Sequence, residues 1–147
     1  MDHQLVTFKL GDEEFGMDIL RVQEIIRMVE ITLVPKMPHY MEGVINLRGK
    51  VIPVVNLRAR FNKPPGEHSN NTRIVVVNMR DTTVGLLVDS VSEVLRLSED
   101  VIEPPPPIMD GGMDTEYIKA VGRLEDRLLI LLDLEKIFTH EGALTFA

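Results

Sequence analysis

The sequence contains no cysteine and no tryptophan. Without cysteine there can be no disulfide, no thiolate metal centre and no thiol nucleophile. Aromatic residues make up only 5% of the chain, so base-stacking platforms for single-stranded nucleic acid are scarce. An excess of basic charge is missing as well. Lys and Arg number 16 against 23 Asp and Glu, a formal net charge of −7, which opposes the counterion release that drives general nucleic-acid binding. No apolar run approaches the ~18 residues of a membrane-spanning helix. The start, Met1-Asp2-His3-Gln4, lacks the basic-then-apolar pattern of a secretory signal. The Asn70-Asn71-Thr72 sequon then carries little weight, and a cytoplasmic protein is expected, with no insertion into a membrane.

What is present is enough for a core. Apolar residues form 44% of the 147, which fits one domain spanning 1–147 and excludes a disordered chain. Short β-branched and leucine-rich runs dominate. Leu5–Leu10 alternates, Gly11-Asp12 breaks it, and Glu14–Met17 returns as a hairpin. Val51–Val55, Ile74–Val77, Thr83–Val88 and Leu128–Leu132 are strand-length apolar runs. Asn46-Leu47-Arg48-Gly49-Lys50 reads as a tight hairpin, with Gly49 supplying a positive φ. Pro53 cannot donate to a ladder and is expected on an edge or at a bulge. Helix is confined to one turn near Asp18–Val22, followed by a strand over Glu24–Val29, and to single turns at Leu57–Phe61 and Leu134–Phe138. The class is mostly β with a few short helices.

The chain also repeats itself. Gly16, Val22, Glu24 and Arg27 recur 69 residues later as Gly85, Val91, Glu93 and Arg96. Val44, Leu47, Leu57 and Phe61 recur 77 residues later as Val121, Leu124, Leu134 and Phe138. The difference falls in the loop Pro105–Gly112. Two halves, about 5–61 and 73–138, joined by the polar segment 62–72, each supply about five strands and suggest two small barrels. Each half is near the lower size limit for its own core, so the two are expected to share an apolar seam.

Catalytic signals are weak. His3, His39, His68 and His140 are scattered without metal-ligand spacing. Asp81-Thr82-Thr83 invites comparison with aspartic proteases, but the third residue is not Gly and a polar hairpin tip explains it. A duplicated-barrel hydrolase is therefore only a remote alternative. Asp89 and Glu93 fit one helical face, where unpartnered acids are usually solvated. Asp110-Gly111-Gly112 lacks the Lys-Ser or Lys-Thr of a phosphate loop. Glu103 and the four prolines after it read as a stiff spacer, and Met109 and Met113 suit an adaptable surface. Arg48 at its hairpin tip and Glu24 on a strand read, on spacing alone, as ordinary solvated charges. No cofactor and no metal are implied.

Val22-Gln23-Glu24-Ile25, then Gly43-Val44-Ile45-Asn46-Leu47-Arg48-Gly49 and Val51-Ile52-Pro53-Val54-Val55-Asn56-Leu57-Arg58, resemble the CheW family of bacterial chemotaxis. Gly85–Val91 and Leu131–Lys136 extend the resemblance across about Leu5–Phe138. It implies two five-stranded β barrels packed across a shared hydrophobic seam, and a non-enzymatic scaffold. Such a scaffold couples chemoreceptor cytoplasmic tips to the regulatory domain of the histidine kinase CheA at membrane-associated arrays; a coupling module of a related sensory system is the alternative. The resemblance carries receptor coupling onto Glu24 and Arg48, and onto Val22, Gly43, Asn46 and Gly49 around them. It assigns no residue to the kinase contact. Asn56 stands where many relatives carry Asp.

Overall fold

The computed structural model describes residues 2–79, 82–105 and 117–137. Strands β1 (Asp2–Leu10), β2 (Glu13–Asp18), β3 (Val22–Arg27), β4 (Met41–Leu47), β5 (Lys50–Asn56), β6 (Arg73–Asn78), β7 (Thr83–Val88), β8 (Ser90–Ser98), β9 (Ile102–Glu103), β10 (Ile118–Arg123) and β11 (Leu128–Leu132) make up the fold. Among the described residues helix is limited to single turns, α1 (Leu57–Arg60) and α2 (Leu134–Ile137), and to 3-10 turns at Ile19–Arg21 and Glu99–Val101. Asn56 caps α1, its side chain accepting from the Ala59 N–H, and the neighbouring Asp18 does the same for Leu20 at the first 3-10 turn.

Two sheets result. One has six strands in the order β8-β1-β2-β11-β10-β9; the other has five, β3-β6-β7-β5-β4. Two five-stranded barrels are expected from the sequence; the described residues instead form two sheets, and the sixth strand of the larger one is the two-residue β9, paired with β10. Each sheet mixes early and late chain. The β1–β2 hairpin joins β11 in parallel, and the β6–β7 hairpin joins β5 in parallel. Among the described residues no ladder closes either sheet into a barrel.

Side-chain alternation explains the apolar runs. On β6, Ile74 and Val76 enter a core enclosed by the five-stranded sheet, with Ile45, Ile52, Val54 and Leu87. Val75 and Val77 face the opposite way, into the large cluster between the sheets with Val6, Phe8, Phe15, Leu57, Phe61 and Leu86. A strand buried on both faces loses the polar half of its alternation. The six-stranded sheet has its own interior around Leu5, Leu97, Leu129 and Leu131. At the seam, Arg60 lies between the rings of Tyr40 and Tyr117, 4.5 and 4.8 Å from their centroids, and its Nε donates to the Ile137 carbonyl.

Two local expectations change. Pro53 sits in β5, which is interior to its sheet rather than an edge. It pairs with Val44, one residue before the bulge at Met41/Gly43 and before the parallel ladder with β7 begins at Val54. A missing donor is tolerated there because the parallel ladder with β7 does not reach Pro53. Asp89 and Glu93 do not share a helical face, because residues 90–98 pair with β1 as strand β8.

Candidate functional site

The β4–β5 hairpin is built around a two-residue loop: Leu47 pairs with Lys50, and Arg48 and Gly49 have φ of 52° and 86°. Positive φ at both central residues is the type I′ signature, whose twist matches that of the flanking strands. Gly49 tolerates this conformation freely, with nothing within 4 Å of where a Cβ would stand. Arg48 is a residue that seldom adopts it. The Asn46 side chain secures the turn, its Oδ1 accepting from the Gly49 N–H at 2.8 Å.

So held, Arg48 meets Glu24 on β3. Arg48 Nη1 donates to Glu24 Oε1 at 3.1 Å, and Nη2 donates to Oε2, a fork-on-carboxylate pair. Gln23 Nε2 adds a further donation to Glu24 Oε2 at 3.3 Å. The Arg48 guanidinium, and secondarily Gln23, holds the Glu24 carboxyl below its ordinary range, and Glu24 in turn raises Arg48. β3 and β4 are the two outer strands of the five-stranded sheet, so the pair bridges its open edges. The Arg48 side chain remains 66% exposed while Glu24 is 27% exposed, leaving the cation as the outward group. Val51, 72% exposed, adds an apolar surface just beyond the turn.

Gly43 works differently. It is buried, with φ of 146°, and a Cβ there would stand 2.2 Å from the Thr32 carbonyl oxygen. That close approach lets Thr32 and Val44 exchange hydrogen bonds of 2.8 and 2.9 Å. The bridge ties the segment after β3 onto the outer edge of β4. Val22 begins β3 and packs, half-buried, against the seam. The structure therefore brings Glu24, Asn46, Arg48 and Gly49 into one surface feature, while Val22 is half-buried at the start of β3 and Gly43 is buried in β4.

Two ionic clusters escaped the sequence reading. Arg58 of α1 clasps Asp89 through Nε and Nη2, at 2.9 and 2.5 Å, and donates to the Pro64 carbonyl. Asp89 also accepts from the Gly11 N–H at 2.7 Å. Arg58 first, and the Gly11 donor after it, holds the Asp89 carboxyl below its ordinary value. The second cluster is Arg127 on Glu14 at 2.6 Å and on Glu93 at 3.2 Å, beside a cleft of about 770 Å³ that also takes in Arg123 and Leu128. Glu93 was the visible clue, standing 69 residues after Glu24. Among the described residues no three His, Cys, Asp or Glu side chains group to hold a metal ion. Asp81, residues 106–112, Met109, Met113, Phe138 and His140 lie outside the described residues.

A family model described as the CheW-like domain matches residues 4–142. The chemotaxis protein CheW of Klebsiella aerogenes is 39% identical over 138 residues, covering 94% of this chain and 82% of that protein. The chemotaxis protein CheW of Treponema pallidum is 35% identical over 142 residues, covering 94% of this chain and 83% of that one. The crystal structure of the scaffolding protein TtCheW from Thermoanaerobacter tengcongensis matches with a TM-score of 0.89 and 38% identity, over 97% of this chain and 96% of that chain.

Proposed function

The chain belongs to the CheW-like family, and from that premise we propose that it is a non-enzymatic scaffold coupling chemoreceptor cytoplasmic tips to the chemotaxis histidine kinase. It works in the cytoplasm, recruited to membrane-associated receptor arrays. The observation that carries this reading is Arg48. A guanidinium is lifted on a left-handed turn, oriented by Glu24 and left two-thirds exposed beside exposed Val51. The N–H donors that Glu24 leaves free on this exposed guanidinium suit a carboxylate on a docking partner. The receptor surface comprises Glu24, Asn46, Arg48 and Gly49, with Val22 and Gly43 fixing the strands beneath. The kinase regulatory domain docks on a separate surface of the same domain. The two pseudo-repeat halves, about 5–61 and 73–138 joined by 62–72, each contribute strands to both sheets, and the two sheets would supply these faces. No bond is made or broken in such a role; signal passes as a difference in affinity for alternative receptor and kinase geometries.

The test is a three-component binding experiment. Purified chain is mixed with a receptor cytoplasmic fragment and the kinase regulatory domain, and complexes are sized by light scattering. The proposal requires a ternary complex in which each partner binds without displacing the other. Mutual exclusion, or binding of neither, refutes it.

A further inference from the structure

Arg27, the last residue of β3, stands directly opposite Arg73, the first of β6. Like charges facing each other across an antiparallel pair are destabilising, and usually a carboxylate intervenes. None does here: neither guanidinium lies within 4 Å of a carboxylate among the described residues, although the chain carries a net charge of −7. Both arginines line one depression of about 540 Å³ with Ser69, Asn70 and Thr72.

Hydrogen bonds tie the rim of that depression together. The Ser69 N–H donates to Thr72 Oγ1 at 2.8 Å, and the Asn71 N–H donates to Ser69 Oγ at 3.0 Å. The Thr72 N–H closes the turn on the Ser69 carbonyl, and Thr72 is 4% exposed. Arg73 Nη1 donates to the Asn70 and Thr72 carbonyls at 2.7 and 2.9 Å. One guanidinium is thus fixed by the turn with donors to spare, and the other is exposed and makes no hydrogen bond among the described residues.

We propose that Arg27, Arg73 and the Ser69–Thr72 turn form a binding site for a phosphate monoester dianion. Two forks without counter-charge call for a ligand carrying two negative charges and several acceptor oxygens; a single carboxylate would neutralise only one. The Ser69 hydroxyl supplies a third donor. The site is separate from Arg48, which pairs elsewhere on β3, and the inference does not depend on the receptor reading. The phosphate has two possible sources, a free small molecule or a phosphorylated side chain of a partner.

The experiment titrates isotope-labelled full chain with inorganic phosphate and, in parallel, with a phosphoserine peptide and its unphosphorylated form, following amide and arginine Nε resonances. Saturable shifts at residues 69–73 and at Arg27 are expected with phosphate or phosphopeptide. Arg27→Gln should weaken the affinity about tenfold, as loss of a charge-assisted bond requires, and Arg27→Lys should weaken it less. Among the described residues the exposed Arg27 side chain makes no hydrogen bond or ion pair that its replacement would break, so a nearly unchanged melting curve accompanies the loss. Tighter binding of the phosphopeptide assigns the site to a modified partner; equal binding of inorganic phosphate assigns it to a small molecule. Absence of saturation with both probes, or wild-type affinity in Arg27→Gln, overturns the proposal.

Discussion

Replacing Gly43 with Ala adds one methyl group at a position with no room for it. The new Cβ would stand 2.2 Å from the Thr32 carbonyl oxygen and 2.9 Å from Ile31 Cγ2. The nearest atom is backbone, so no rotamer change relieves the contact; the carbonyl must retreat by roughly 1 Å to reach an ordinary separation. That retreat breaks the reciprocal bonds between Thr32 and Val44, worth about 1 kcal/mol each. Forcing a side chain to φ of 146° adds about 1–3 kcal/mol of backbone strain. The sum is about 3–5 kcal/mol, a large share of the stability of a domain this size. Urea unfolding followed by circular dichroism should show the midpoint falling with little change in slope. Receptor-fragment affinity per folded molecule should fall much less than stability, because Gly43 is buried. A stability loss below about 1 kcal/mol would refute the argument that Gly43 is held by this close approach.

Two other substitutions test the contacts that hold the fold and the hairpin. Asp89→Asn removes the anion that Arg58 and the Gly11 N–H share, and should cost about 1–2 kcal/mol, or roughly 3–6 °C in Tm. The Arg58 guanidinium holds the Asp89 carboxyl below its ordinary value in the folded protein, so its contribution is complete above the unfolded value and disappears as pH falls through the folded one. The gap between wild type and Asp89→Asn melting temperatures should therefore narrow as the solution is made more acidic than the ordinary carboxylate range, and a gap that stays constant on acidification would contradict the clasp. Asn46→Ala loses the bond to the Gly49 N–H and should cost about 0.5–1.5 kcal/mol, read from thermal melts, with the Arg48 side chain reoriented as seen by its Nε resonance.

Strand positions were legible because both-face burial leaves a signature. The runs Ile74–Val77 and Thr83–Val88 lack polar alternation since one face lines a sheet interior and the other the seam. Sheet membership was not legible. Consecutive strands β2 and β3 fall in different sheets, and the parallel β2–β11 and β5–β7 pairings join segments more than 25 residues apart. Periodicity carries no record of such partners. The hairpin and its Gly49 were readable from local turn chemistry, but the left-handed φ of Arg48 was not, since turn rules favour Gly or Asn there. Glu24 and Arg48 were named through resemblance; their pairing depends on how the outer strands β3 and β4 approach, which is a tertiary property. Asp89 looked like a solvated acid because its partner, Arg58, lies 31 residues earlier in the chain.

The central claim is that Arg48 is a binding group held by Glu24 rather than a strut of the fold. The direct measurement is titration of one receptor cytoplasmic fragment into wild type, Arg48→Ala and Arg48→Lys, with melting curves recorded on the same samples. Arg48→Ala should leave Tm unchanged within replicate scatter, because an exposed ion pair contributes little to stability. It should weaken receptor binding about tenfold or more, and Arg48→Lys should restore only part of the loss, since an ammonium lacks the planar fork. A marked fall in Tm with receptor affinity unchanged per folded molecule would contradict the account.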